Sequence, residues 1–226
     1  MASPFALNEF KQLSLNFDNG VLSLALNRPE KKNAIGVDMS LEIEQLLKQV
    51  AASSAVKVLL IRGMHGNFST GMDMKDFFDH SDRDPSELAR ARHATNHWRS
   101  RQLRLLSQPI ICAVEGYCLG GAFPILECAT WVVASDTATF GLPEINFGFV
   151  PGGPIAKSVG LAMTRRGASY ASLSGRNFSA HQAKQWGLVS HVCTADKCLA
   201  IAEEAAHAVA QHLSEQPTTD HQKPST

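Results

Sequence analysis

The stretch Pro109-Ile-Ile-Cys-Ala-Val-Glu-Gly-Tyr-Cys-Leu-Gly-Gly-Ala-Phe-Pro124 decides the fold. Pro109 resets the chain, and Ile110 to Val114 is a continuous apolar run, as a strand covered on both faces requires. Gly120 and Gly121 then permit a tight turn into a helix from Gly121. Strand Trp131–Ala134 completes a β-α-β unit. Towards the N-terminus, Glu87 to Leu106 reads as a long helix, His80 to Ser86 as a mobile loop, and Asp73 to Phe78 as the first turns of a helix. Val56 to Ile61 is a second mostly apolar strand. Asp38 caps a helix whose Met39, Ile43, Leu46, Leu47 and Val50 share one face. Gln12 to Phe17 and Val21 to Leu26 alternate in polarity around Asp18-Asn-Gly20, the pattern of a hairpin. Beyond Pro151 the pattern is mainly helical and ends with Ala195 to His212. The polar, proline-containing stretch from Leu213 to Thr226 reads as a disordered tail. Strands alternating with helices imply an α/β fold around one large sheet.

The composition excludes several classes of function. Of 226 residues, 44% are hydrophobic and 19% charged, the range of one globular domain with at most a small appendage. Lysine plus arginine and aspartate plus glutamate both number 21. That balance provides no field for nucleic acid or an anionic membrane, and little repulsion against self-association. The first twenty residues include Glu9, Lys11 and Asp18 and no apolar run of signal-peptide length. No apolar run is long enough to span a bilayer. The five cysteines form no C-x-x-C pair, so they read as reduced, mostly buried thiols of a cytoplasmic protein. His93 and His97 lack the intervening glutamate of a zinc motif, and no metal site is expected. Arg99, Arg101 and Arg104 read as a solvated charged face of their helix.

Three loops carry usable chemistry. Phe68-Ser-Thr-Gly-Met-Asp-Met74 and Gly120-Gly121 each follow a strand and open a helix, so their amides sit at the positive end of a helix dipole. The carboxyl ends of strands are where α/β sheets hold ligands. Glu144, in Phe140-Gly-Leu-Pro-Glu-Ile-Asn-Phe-Gly148, is a carboxylate on the next such loop. Singly, each has a plain reading: a tight turn, a solvated loop glutamate, a helix cap at Asp73. Together they offer oxyanion donors beside a proton carrier, with Phe140, Phe147 and Phe149 available as apolar walls.

In those residues the chain resembles the crotonase superfamily, the enoyl-CoA hydratase/isomerase family. Asn27-Arg-Pro-Glu-Lys-Lys-Asn-Ala34, Phe68-Ser-Thr-Gly-Met-Asp-Met-Lys75, Gly116-Tyr-Cys-Leu-Gly-Gly121 and Ala138-Thr-Phe-Gly-Leu-Pro-Glu-Ile145 match its signatures in order and spacing, over Leu13 to Val192. The resemblance implies a spiral of β-β-α units over residues 1–192, with a shortened C-terminal helical region at 193–212 and the tail at 213–226. It implies an acyl-CoA thioester substrate and no separate cofactor. It implies catalytic roles for the amides of Met72 and Gly121 and for Glu144, with Lys31, Thr70, Met72, Met74 and Gly121 binding the substrate and its CoA arm. Family hydratases place a second glutamate where this chain has Pro124, so Glu144 stands as the single acid/base. Hydration of an enoyl-CoA, with or without the carbon–carbon cleavage of hydroxycinnamoyl-CoA hydratase-lyases, is the leading expectation. Δ3,Δ2-enoyl-CoA isomerisation is the alternative, and a truncated, non-catalytic acyl-CoA-binding or partner subunit is a third reading of another class. Phe77 replaces a tyrosine of the hydratase-lyases. A homotrimer or hexamer is the family's assembly.

Overall fold

The computed structural model describes residues 9–78 and 83–215. Leu13–Asp18 (β1) and Val21–Leu26 (β2) form the expected hairpin, antiparallel across Asn19 and Gly20, whose φ values are 46° and 83°. Only residues such as Asn and Gly enter that left-handed region cheaply, so the turn chemistry sets the register. The sheet then runs parallel through Val58–Gly63 (β3) and Ile110–Val114 (β4). Tyr117–Leu119 (β5) leaves it, and Trp131–Ser135 (β6) resumes it. Thr139–Gly141 (β7) and Phe178–Ser179 (β8) join β5 in a small second sheet of order β5-β7-β8. His191–Cys193 (β9) completes the large sheet, ordered β1-β2-β3-β4-β6-β9.

Residue alternation divides the core between the two faces of this sheet. Leu22, Leu24, Leu26, Leu59, Ile61, Ile110, Cys112, Val114, Val132 and Ala134 pack with Met39, Ile43, Leu46, Leu47 and Val50 of helix α1 (Val37–Ala52). Val21, Val58, Leu60, Ile111, Ala113 and Val133 face the other way. There they meet Cys198, Ala202, Ala206 and Ala210 of a C-terminal helix running Ala195–Glu215. Small side chains four apart let that helix lie close on the sheet. The line drawn after Val192 therefore falls inside β9, and the C-terminal helix is the second cover of the core rather than an appendage to it. Leu213 to Glu215 belong to this helix and not to a tail, because the helix continues past the sheet it covers. The rest of the expected tail, 216–226, lies outside the described residues.

Three local expectations change. Helix α1 starts two residues earlier than a cap at Asp38 would allow: Gly36 is its N-cap, and the Val37 N–H donates to Asp76 Oδ2 at 2.9 Å. Asp76 comes from α2 (Met74–Phe78), so the carboxylate that serves the helix start is supplied across space. Asp38 pairs with Arg83 at 3.2 Å instead. The loop expected at His80 to Ser86 lies partly outside the described residues. From Asp84 it is a helix cap, its carboxylate accepting Ser86 N–H at 2.8 Å, and α3 (Pro85–His97) begins at Pro85 rather than Glu87. The long helix is not uniform either. After α3 it widens into a π turn at Trp98–Gln102 before α4 (Leu103–Leu105). The remaining helices are α5 (Phe123–Glu127), α6 (Gly153–Ala162), α7 (Arg165–Ser174), α8 (Ala180–Gln185) and α9, the C-terminal helix above.

Candidate active site

Three loops meet beyond the carboxyl ends of β2, β3 and β4, tied together by buried polar groups. Asn33, fully buried, donates from Nδ2 to Met64 O (2.9 Å) and Asn67 O (2.7 Å), while its Oδ1 accepts Arg28 N–H (2.8 Å). Ser69 Oγ donates to Asn33 O at 2.7 Å and accepts Gly71 N–H at 3.1 Å. Backbone bonds Ser69 N–H to Tyr117 O (2.8 Å) and Leu119 N–H to Ser69 O (3.0 Å) then bind the second loop to the third. Arg28 and Asp73 close the cluster as a 2.9 Å ion pair, with side chains 14% and 9% exposed. Asp73 also caps α2, accepting Asp76 N–H at 3.2 Å. Satisfied networks of this kind hold loop backbone rigid.

The amides of Met72 and Gly121 come out of this scaffold oriented and close together. Met72 is bridged in parallel to Ile35, and the bonds of that bridge run through its neighbours: Ile35 N–H to Gly71 O (2.7 Å) and Asp73 N–H to Ile35 O (3.0 Å). Met72's own N–H therefore points away from Ile35. Gly121 is the second residue of a 3₁₀ turn, Gly120–Ala122, whose first N–H groups have no partner within the turn. A Cβ built on Gly121 would stand 3.1 Å from Met72 N, and one on Gly71 would stand 2.9 Å from Gly121 N. Only glycine lets these backbones approach so closely.

Glu144 lies in the 3₁₀ helix Pro143–Phe147, which Gly148 ends at φ 86° and which Asn146 anchors by donating to Gly175 O at 2.9 Å. The residue is 8% exposed, and Oε2 has no hydrogen-bond partner among the described residues. Burial holds its carboxyl above the ordinary glutamate range, offset in part by a bond from its own backbone N–H. Its Oε1 rests on Gly120 (φ 46°), where an added Cβ would come within 2.7 Å. Structure thus brings Glu144, Gly121 and Met72 to one place.

The other predicted residues sit around this point. Thr70 Oγ1 donates to Lys31 O at 3.2 Å, and Thr70 N–H donates to Lys32 O at 3.2 Å, so Lys31 and Thr70 share one rim. Lys31 is exposed, and Met74 is 48% exposed at the start of α2. Of the proposed aromatic walls, Phe140 is fully buried and stacks on Phe178 at 5.9 Å, away from solvent. Phe147 and Phe149 are 72% and 43% exposed; the turn of the 3₁₀ helix that buries Glu144 throws them outward, so they do not enclose it. Pro124, buried at the start of α5, carries no proton. The acid further along that helix, Glu127, is engaged with Arg104. All five cysteines are free thiols, and burial pushes each one up, Cys128 and Cys198 to about 12. Among the described residues no helix is long and apolar enough to cross a membrane.

One expectation about charge fails. Arg101 is solvated, but Arg104 is half-buried against Glu127 and Arg99 is only 7% exposed. The π turn rotates Trp98 and Arg99 together toward the interior, which a regular helical wheel does not anticipate. Arg99 is the buried residue beside the Gly121 turn that sequence reasoning missed; its one signal was an arginine directly after a tryptophan at a core position.

An α/β fold with amides and a buried carboxylate at its strand ends defines a class. Comparison with known proteins supplies the family. The profile described as Enoyl-CoA hydratase/isomerase matches residues 16–223. A mevalonyl-coenzyme A hydratase from Aspergillus fumigatus is 39% identical over 198 residues, covering 85% of this chain and 70% of that protein. A hydroxycinnamoyl-CoA hydratase-lyase from Pseudomonas fluorescens is 32% identical over 182 residues, covering 80% and 66%. This chain therefore spans about two thirds of the latter's length. An enoyl-CoA hydratase/isomerase structure from Acinetobacter baumannii superposes with a TM-score of 0.72 at 32% identity, over 91% of this chain and 84% of that one. The fold is shared more widely: a Magnetospirillum magneticum structure reaches 0.81 at 22% identity, over 90% and 76%. The chain belongs to the enoyl-CoA hydratase/isomerase family, within the crotonase superfamily.

Proposed function

We propose that this protein hydrates a 2-enoyl-CoA thioester with Glu144 as its single acid/base. The observation that carries the reading is the buried, half-unpartnered Glu144 carboxylate beside the closely spaced backbone N–H groups of Met72 and Gly121. The Met72 and Gly121 N–H groups bind the thioester oxygen as it gains negative charge, each donor contributing about 3 kcal/mol to the barrier reduction. Glu144 takes a proton from water while the water oxygen bonds to C3 and the double-bond electrons move toward the thioester oxygen. The resulting enolate collapses, and the carboxyl returns that proton to C2. A raised pKa suits a carboxyl that must both take and give a proton. Lys31, Thr70 and Met74 border the path for the CoA arm. Cleavage of the hydrated product, as the name of the Pseudomonas relative describes for that enzyme, would have the same carboxyl take the proton of the C3 hydroxyl as the C2–C3 bond breaks, and return it to C2 of the thioester enolate that leaves the aldehyde behind.

The test is incubation with crotonyl-CoA and 3-hexenoyl-CoA in heavy-oxygen water, for the wild type and Glu144→Gln. Label in the crotonyl product, lost in the variant, is the expected result. A shifted double bond in the hexenoyl product without label on either substrate means isomerisation. Near-wild-type turnover by the variant overturns the mechanism, and binding of CoA thioesters without any turnover favours a non-catalytic binding subunit. Self-association into a trimer or hexamer is part of the proposal. It is supported by exposed Phe147, Phe149, Val150, Leu161, Tyr170 and Leu173, apolar side chains that an interface would take out of water. Light scattering that reads a monomer at micromolar concentration would reject it.

A further inference from the structure

Among the described residues, Arg99 is a buried cation without an anion. Its residue is 7% exposed, its Nε donates to Thr95 O at 3.2 Å, and no carboxylate among the described residues lies within ion-pair distance of it. The ring of Trp98 lies 5.9 Å from the guanidinium. Burial draws its pKa down to about 10, which leaves it charged at neutral pH. A buried charge without a partner is costly, and the half-buried arginine on the same helical run, Arg104, is given Glu127.

The direction in which Arg99 reaches is as informative as its isolation. One terminal nitrogen stands 3.2 Å from the point where a Gly121 Cβ would be, the same point that lies 3.1 Å from Met72 N. The guanidinium thus ends at the turn whose amides face the thioester oxygen in the reading above. A π turn, the local distortion that often marks functional positions, puts it there. Arginine's planar fork is suited to carboxylates, and it stays charged when desolvated.

Resting on the acyl-thioester reading, we propose that Arg99 is a specificity-determining residue that receives a carboxylate carried by the acyl chain. The preferred substrates are then 2-enoyl thioesters of short dicarboxylic acids. The chain must be short because the guanidinium borders the thioester-binding turn itself, so its partner lies only a few bonds from the reacting carbons. An enolate oxygen is a poorer match for this cation. It exists only in passing and already has two N–H donors.

Two measurements on the full chain test this. First, wild-type affinities for glutaryl-CoA and pentanoyl-CoA, equal in chain length and different in terminal charge, are compared by calorimetry. Glutaryl-CoA should bind about 10- to 100-fold tighter, the range of a charge-assisted bidentate contact. Second, kcat/KM is measured for glutaconyl-CoA and crotonyl-CoA in the wild type, Arg99→Gln and Arg99→Lys. The glutaconyl-to-crotonyl ratio should fall about 10- to 100-fold in the glutamine variant, with partial recovery in the lysine variant. An unchanged ratio with both substrates slowed alike overturns the proposal in favour of a role at the thioester oxygen. Equal binding of the two saturated thioesters overturns it without any variant. Preference for glutaryl-CoA with no turnover of either enoyl thioester supports Arg99's role and removes the hydratase reading; turnover without preference does the reverse.

Discussion

Arg99 and Arg104 stand on one helical run, and their surroundings are opposites. Arg104 meets Glu127, whose side chain is 8% exposed, so the pair is neutral within the chain. Among the described residues Arg99 meets no carboxylate, and across the site Glu144 likewise has an oxygen without a partner. Buried charge that is compensated internally serves stability and has nothing left to offer a ligand. Charge or polarity buried without a partner costs stability and is retained where a ligand completes it. The amino ends of β4 and β6 show the first arrangement, the carboxyl ends the second.

The sharpest way to break this comparison is at Glu144. Replacement by glutamine should lower turnover about 10²- to 10⁴-fold, the usual contribution of a positioned acid/base, without loss of fold. Stability should separate the two arginines next. Glu127→Gln strands the Arg104 cation and should cost about 3 kcal/mol in urea denaturation. Arg99→Gln removes a charge that had no partner, so it should leave stability unchanged or raise it by about 1 kcal/mol. Equal losses in the two variants would erase the contrast.

The smallest effect is the pH dependence of Glu144. Its carboxyl holds a proton more tightly folded than unfolded, since burial raises its pKa above the ordinary glutamate value of 4.5. The folded state therefore binds more protons in the window just above pH 4.5, and stability falls as pH rises through it. Below pH 4.5 both states are protonated and the penalty vanishes. Glu144→Gln should thus be more stable than the wild type at neutral pH, with the advantage shrinking towards pH 4.5. A pH-independent difference between the two denaturation midpoints would contradict the raised pKa.

Much of this was legible along the chain because it depends on near neighbours. The Asn19-Gly20 turn, the apolar run of β4 and the glycine pair before α5 each state their local conformation. The loop bearing Met72 follows β3 of the large sheet, and Gly121 and Glu144 follow β5 and β7, which run parallel in the small one, so each lies at the carboxyl end of a strand. What escaped notice depends on distant partners. Asp76 serves α1 from another helix, and α9 reads as a terminal helix until its alanines meet β3, β4 and β6. A π turn shifts side-chain directions without any residue type that marks it.

By itself, then, the sequence determined the α/β class, the family and the candidate acid, since short-range backbone preferences and motif spacing carry that information. Tertiary structure alone decided that Glu144 is nearly dry, that the Met72 and Gly121 amides share one space, and that of three neighbouring arginines one is solvated, one paired and one left for a ligand. Burial and unpaired charge are properties of what surrounds a residue in space, and the order of the chain does not state them.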